Sequence, residues 1–339
     1  MAATDGYPLL CLENPLLDIQ GVGDAEMLKK YDVKDNDAIL AEEKHMGLYE
    51  DLIQNRNAKL IAGGAAQNTA RGAQYLLPDN SVVYIGCIGK DKYGEVLENT
   101  CREAGVRTEY RVDENQPTGR CGVIITGHNR SLITHLAAAN EYKLEHLKQP
   151  HVWAHAEKAQ VYYLGGFHLT VCVPAMLALA EEAAAKNKIY MLSLSAPFIP
   201  QFFKDQLDSV LPYTDYLLGN ETEALAYSES HEWGLTEIPE IAKKIALLEK
   251  KNTQRPRTVI ITQGTEPTVA AVAKGNGEVE VTQVPVKPLK KEDIYDTNGA
   301  GDAFAGGFAA GIVQKKTLAE SIDMGQWLAK LSIQELGPS

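Results

Sequence analysis

Asp302 closes the segment Asp296-Thr-Asn-Gly-Ala-Gly-Asp302 and is followed by the small, apolar run Ala303-Phe-Ala-Gly-Gly-Phe-Ala-Ala-Gly311. Glycines at 299 and 301 allow a tight turn and close approach of the backbone to a ligand. The run behind them predicts a helix packed closely in an interior. The start of such a helix leaves unpaired N–H groups at the positive end of the helix dipole, a place that suits phosphate. Asp302, in the first turn, would stand beside that phosphate. The plainer alternative is a capping acid on a Gly-Ala helix. No G-x-x-x-x-G-K-[ST] occurs, and Phe304 stands where a G-x-G-x-x-G fingerprint needs its last glycine, so neither common phosphate motif accounts for the segment.

Four further groups carry chemistry. Gly63-Gly64-Ala-Ala-Gln-Asn68 precedes an apolar helix, so its glycines expose N–H groups to a hydroxylated ligand and Asn68 both donates and accepts; an ordinary turn with an Asn near a helix start has the same pattern. Asn14-Pro-Leu-Leu-Asp18 follows a strand pattern, and Asp18 suits vicinal sugar hydroxyls or, more plainly, a solvated turn. Asn220-Glu-Thr-Glu223 offers oxygen ligands through which water-coordinated Mg²⁺ is held, and it also reads as a capping box; both readings are compatible. Arg130 is either a clamp for a transferring phosphoryl group or a surface arginine. His151 and His155 have the i, i+4 spacing of a metal pair but lack the Glu after the first His and an evident third ligand, so zinc is set aside. His168 either lines a cleft or has a structural role.

These residues need a scaffold of strands and helices. Apolar runs at Leu9–Leu12, Val82–Ile85, Val161–Leu164, Ile189–Leu194, Tyr216–Leu218 and Val259–Thr262 read as strands. Ala66–Leu77, Pro174–Lys186, Ile238–Lys250, Ala300–Val313 and Leu318–Gln334 read as helices. The alternation predicts a doubly wound α/β sheet with ligands at the carboxyl ends of its strands. Residues 19–64, rich in acids, and 119–135 break the alternation and are assigned to a small α/β lid; residues 1–18, 65–118 and 136–339 form the large domain.

The chain has 339 residues, 45% hydrophobic and 23% charged, enough to bury a large core. A net charge of −12 argues against nucleic acid or an anionic membrane as partner, whereas a local phosphate site remains compatible with it. Five cysteines without a C-x-x-C pair read as reduced thiols. With no signal-peptide pattern and no 18-residue apolar run, a soluble cytoplasmic protein, with nuclear residence also open, is expected.

Together the motifs resemble the ribokinase-like family of sugar and nucleoside kinases. The resemblance rests on Gly63-Gly64…Asn68, on Ile85-Gly-Cys-Ile-Gly-Lys-Asp-Lys-Tyr-Gly94 and on Asp296–Asp302, in family order along almost the whole chain. Within the family, Asn14–Asp18, Gln116-Pro-Thr-Gly119, Asn129-Arg-Ser-Leu-Ile133, Leu136-Ala-Ala-Ala-Asn140, Ser193-Leu-Ser-Ala-Pro-Phe198 and Gly219–Ala224 are similar to the adenosine kinases. The resemblance implies a three-layer α/β/α fold with a lid and transfer of the ATP γ-phosphate to the 5′-hydroxyl of adenosine by a monomer. It implies that Asp302 is the base, that the amides of Gly299, Ala300 and Gly301 form the anion hole, and that Arg130 meets the phosphates on lid closure. Asp18, Gly63, Gly64 and Asn68 would hold the ribose, with Asn14 nearby. Phe167 would stack on adenine within a wall of Leu16, Leu40, Cys121, Leu132, Leu136 and Phe198. Thr262, Gly264 and Asn298 would line the ATP site, and Asn220 and Glu223 would organise Mg²⁺. Ala38 departs from a Gln, and Ser193 from an Asn, that relatives often carry.

Overall fold

Along Leu9–Leu12 (β1) consecutive side chains point to opposite faces, and all four are buried. Leu10 and Leu12 join one core with Leu179, Tyr190 and Ile241, whereas Leu9 and Cys11 join a second with Ala70, Phe304 and Phe308. A strand apolar on both faces belongs in the middle of a parallel sheet covered by helices on each side. The computed structural model has that architecture and describes residues 6–35, 37–127, 129–295 and 297–334. Asp296, the first residue of the glycine-rich segment, lies outside the described residues.

The strands in chain order are β2 (Leu16–Val22), β3 (Ala38–Leu40), β4 (Lys59–Gly63), β5 (Val82–Gly89), β6 (Arg107–Asp113), β7 (Arg120–Thr126), β8 (Asn129–His135), β9 (Val161–Leu164), β10 (Ile189–Ser193), β11 (Tyr216–Asn220), β12 (Thr258–Gln263), β13 (Glu266–Ala273) and β14 (Val279–Val284). Among the described residues they form a nine-stranded sheet, β14-β13-β12-β11-β10-β9-β1-β5-β6, and a five-stranded sheet, β3-β8-β7-β2-β4. Pairing from β12 through β6 is parallel; the β12–β13 and β13–β14 pairs are antiparallel, so β13 runs against the other strands. The chain leaves β1 towards β5 and β6 on one side and later fills β9 to β12 on the other. The β1/β9 junction is therefore the point where strand order reverses, and a crevice opens there.

Helices Ala65–Leu76, Ala300–Val313 and Leu318–Ser332 pack on one face of the large sheet; Val173–Lys186 and Ile238–Ala246 pack on the other. One face of the small sheet, with Leu17, Ile19, Ile124 and Ile133, is covered by Ala25–Lys30 and Gly47–Asn55 through Met27, Leu48 and Leu52. Its other face looks towards the carboxyl edge of the large sheet.

The helix expected over Ile238–Lys250 stops at Ala246. Buried Arg257 explains the early end: its guanidinium donates to the carbonyls of Ile245, Leu248 and Glu249 at 3.1, 2.7 and 2.7 Å, taking oxygens that another helical turn would use. Strands β13 and β14, which extend the sheet past β12, had no counterpart in the apolar runs.

Candidate active site

The carboxyl ends of the parallel strands deliver the site. Asn14 follows β1, Phe167 follows β9 in the turn Gly166–Thr170, Phe198 follows β10, Asn220 ends β11 and Thr262 lies near the end of β12. These residues line a cavity of about 400 Å³, which also takes Leu16 and Asp18 from β2, Leu40 from β3, Cys121 from β7 and Leu132 from β8. Period-two alternation explains the last set: Ile133 turns into the small-sheet core while Leu132 and Thr134 face the cavity. Leu136, Gly64, Asn68, Glu223, Asn298, Gly299, Gly301 and Asp302 complete the expected residues on the wall, and Ala38 and Ser193 stand there too.

Helix Ala300–Val313 begins after Gly299, whose φ of +78° is left-handed and favours glycine. Its small residues let it lie unusually deep. A Cβ on Gly306 would come within 2.8 Å of the Thr69 carbonyl oxygen, and one on Gly311 within 2.6 Å of Ser321 Oγ. The close packing of Gly306 against Ala65–Leu76 brings two residues far apart in sequence together: Asn68 Nδ2 donates to Asp302 Oδ2 at 2.9 Å. Thr69 Oγ1 donates to the Asp302 carbonyl at 3.1 Å, and Arg71 Nη2 donates to Asn68 Oδ1 at 2.8 Å, fixing the Asn68 amide. Asp302 opens on the cavity half-buried. Burial pushes its carboxyl up to about 7, while the Asn68 hydrogen bond and the Arg71 charge pull it down. A carboxylate with that value accepts a proton readily near neutrality.

The glycine pair before Asn68 is also set by space. Gly64 has φ +93°, and a Cβ there would meet the Asn14 carbonyl oxygen at 2.6 Å. A Cβ on Gly63 would lie 2.5 Å from the Asp18 carboxylate, so Gly63 backs the cavity by making room for Asp18. Asn14 donates through Nδ2 to the Phe167 carbonyl at 3.4 Å and accepts from His168 Nδ1 at 3.1 Å. His168 is fully buried, off the cavity wall, and its ring is held neutral by burial, with a pKa lowered to about 3. It orients Asn14. The Phe167 and Phe198 rings stand 5.8 Å apart at 36°, forming an aromatic corner.

Asn220 and Glu223 close a reciprocal capping box. Asn220 Oδ1 accepts the Glu223 N–H at 2.9 Å, and Glu223 accepts the Asn220 N–H and side-chain amide at 3.0 Å each. Burial first, then the Asp302 charge, pushes the Glu223 carboxyl up to about 7. Three expected residues stand away from the wall besides Gly63. The Ala300 side chain is one; Gly264, with φ +58°, sits exposed in the β12–β13 turn; and Arg130 sits on β8 opposite Ile125.

Residue types alone did not single out Glu13, Arg71, Tyr163 or Ser195. Glu13, Tyr163 and Ser195 line the cavity, and Arg71 is one helical turn beyond Asn68. Adjacency to Asn14 and the i, i+3 spacing from Asn68 were the available signals for Glu13 and Arg71.

A family model described as pfkB family carbohydrate kinase matches residues 25–339. The chain belongs to the pfkB family. An adenosine kinase of Schizosaccharomyces pombe is 48% identical to it over 333 residues, covering 98% of this chain and 95% of the relative. Among solved structures, Anopheles gambiae adenosine kinase in complex with P1,P4-di(adenosine-5) tetraphosphate superposes with a TM-score of 0.94 at 44% identity, over 98% of this chain and 97% of that one. Schistosoma mansoni adenosine kinase in complex with 2-fluoroadenosine gives 0.92 at 37% identity, over 98% and 96%. The pfkB assignment places a kinase on this doubly wound sheet, with its crevice where strand order reverses.

Proposed function

We propose that the chain is an adenosine kinase that transfers the γ-phosphoryl group of ATP to the 5′-hydroxyl of adenosine, giving AMP and ADP. The observation that carries this reading is Asp302 at the amino end of a deeply buried helix, hydrogen-bonded to Asn68 and facing a cavity with hydroxyl-binding groups and an aromatic corner. Near-complete alignment with adenosine kinases supports the choice of substrate.

Phosphoryl transfer asks little covalent work of a protein, so positioning and charge dominate. Asp18, Gly64 and Asn68 hold the ribose hydroxyls, and the purine lies against Phe167 and the apolar side chains of the small sheet. Asp302 takes the 5′-OH proton. The amides of Gly299, Ala300 and Gly301 receive the phosphate, with Thr262, Gly264 and Asn298 along the nucleotide. Arg130 approaches the phosphates when the small sheet closes, which also excludes water and suppresses ATP hydrolysis.

Glu223 and Asn220 fit Mg²⁺. Both residues line the cavity, the Asp302 charge disfavours an ionised Glu223, and a divalent cation held by them would relieve that repulsion. Each oxygen is already engaged in the capping box, which suits an ion held through its own waters. When bound, the ion neutralises charge on the transferring phosphoryl group. We further read the protein as a cytoplasmic monomer. Among the described residues no helix is long and apolar enough to cross a membrane.

The test is ADP release with ATP and adenosine, guanosine, inosine or ribose, with and without Mg²⁺. Turnover is expected with adenosine and Mg²⁺. A preference for ribose or another nucleoside would replace the substrate, and binding of adenosine without ADP release would make the chain a nucleoside-binding protein.

A further inference from the structure

Glu13 follows β1 directly and is 1% exposed, yet it reaches the cavity wall. Its Oε2 accepts the Ala66 N–H at 2.8 Å, in the first turn of helix Ala65–Leu76. Its Oε1 is buried without a hydrogen-bond partner; the Phe167 N–H and the Ser195 hydroxyl lie near the carboxyl without closing a well-formed bond to that oxygen. A Cβ on Gly165 would overlap Oε1, so the chain leaves β9 on a glycine where this carboxyl needs the room. A buried polar oxygen without a partner is costly. Here it lies beneath the wall of the substrate cavity, against Gly165.

We propose that Glu13 is a positioning residue for the phosphoryl transfer: one carboxyl oxygen pins the amino end of helix Ala65–Leu76, and so Asn68 and Asp302, while the other stays buried beneath the cavity wall. The inference rests on Asp302 being the base. Glu13 acts through the helix at short range, since Asn68 is two residues beyond the pinned amide and carries the Asp302 hydrogen bond. The titratable groups facing it are Cys11 on its own strand, Tyr84 from β5, Tyr163 from β9 and Asp302. None is a cation. Burial pushes the Glu13 carboxyl up to about 8, opposed by the Ala66 N–H, the Phe167 N–H and the Ser195 hydroxyl and reinforced by the Asp302 charge, which favours the neutral acid near pH 7. As pH rises through that value a second anion forms beside Asp302, where the transferring phosphate already brings negative charge. The expected result is an alkaline limb in kcat/KM belonging to the Glu13–Asp302 pair.

The test compares pH profiles of kcat/KM for the wild type, Glu13→Gln and Glu13→Ala with ATP, Mg²⁺ and adenosine. Glu13→Ala is expected to lower kcat at pH 7 by about tenfold through misplacement of the base, with a smaller change in KM. Glu13→Gln keeps an acceptor for Ala66 and cannot ionise, so it should recover most of that loss and erase the alkaline limb. An alkaline limb that stays in place in Glu13→Gln overturns the inference while leaving the Asp302 reading intact. Absence of an acid limb near pH 7 in the wild type would sink the Asp302 reading instead. If the Glu13 variants do not fold, isotope-labelled glutamate NMR of Glu223→Gln decides: a glutamic carboxyl still protonated at pH 7 once Glu223 is removed supports the inference, and only ionised glutamates at that pH overturn it.

Discussion

Asp302 is poised by opposing influences of unequal size. Removal of water raises its pKa, and the Asn68 hydrogen bond and the Arg71 charge lower it, for a net value of about 7. Two consequences follow for single residues. Asp302→Asn keeps the shape and the neighbouring amide but cannot accept the 5′-OH proton. Its kcat should fall by about 10²–10⁴-fold, the usual weight of general base catalysis, with adenosine affinity by calorimetry little changed. Asn68→Ala removes a donor that favours the ionised form of Asp302. The pKa then rises, and because the base must be ionised, activity is lost at pH values where the wild type still works. The acid limb of kcat/KM should therefore move to higher pH; a limb that moves down or stays would show that Asn68 does not hold the carboxylate. Asp302 and Asn68 were each legible from glycine-rich helix starts, but their contact across 234 positions was not, because it depends on how closely two helices pack. Glu13 and Arg71 escaped notice for a related reason. A charged residue reads as solvated until burial and a partner are known.

Packing distance is a property of elements, and helix Ala300–Val313 sets it with glycines at 306, 307 and 311. Gly306 faces the backbone of Thr69, Gly72 and Ala73, where no flexible side chain can yield. Gly306→Leu should therefore separate the two helices, costing about 1–3 kcal/mol in urea unfolding as overpacked cores do, and lowering kcat by drawing Asp302 away from Asn68. Loss of stability with unchanged kcat would show that the Asn68–Asp302 contact survives the shift. The helix was legible because a run of small apolar residues behind a Gly-x-Gly turn has few other uses. The antiparallel edge was not. Strand β13 contains three alanines, poor strand formers, and β14 is largely exposed with alternating polar residues, so neither presents the apolar run that marks a buried parallel strand. The end of Ile238–Ala246 was likewise hidden, since Arg257 caps it from eleven residues beyond.

For the molecule as a whole, the decisive relation is between the two sheets. The large sheet supplies Asn14, Phe167, Phe198 and Asn220 from its carboxyl edge, and the small sheet supplies Asp18, Leu40, Cys121 and Leu132 from its open face, so the proposed nucleoside would be held from both sides. Leu40 is 46% exposed, apolar surface that a bound purine would cover. Arg130 belongs to the small sheet but stands off the cavity wall, so the phosphate contact proposed for it would require the sheet to move. A residue engaged only in the closed, reacting state contributes to kcat and not to ground-state binding. Arg130→Ala should therefore lower kcat by about 10–10³-fold, as expected for loss of a cation on the transferring phosphoryl group, while the equilibrium affinity for adenosine alone stays near that of the wild type. Isothermal titration with adenosine, paired with steady-state kinetics, separates the two effects. Equal losses in adenosine affinity and kcat would place Arg130 in the fabric of the small sheet, and an unchanged kcat would remove it from the reaction altogether.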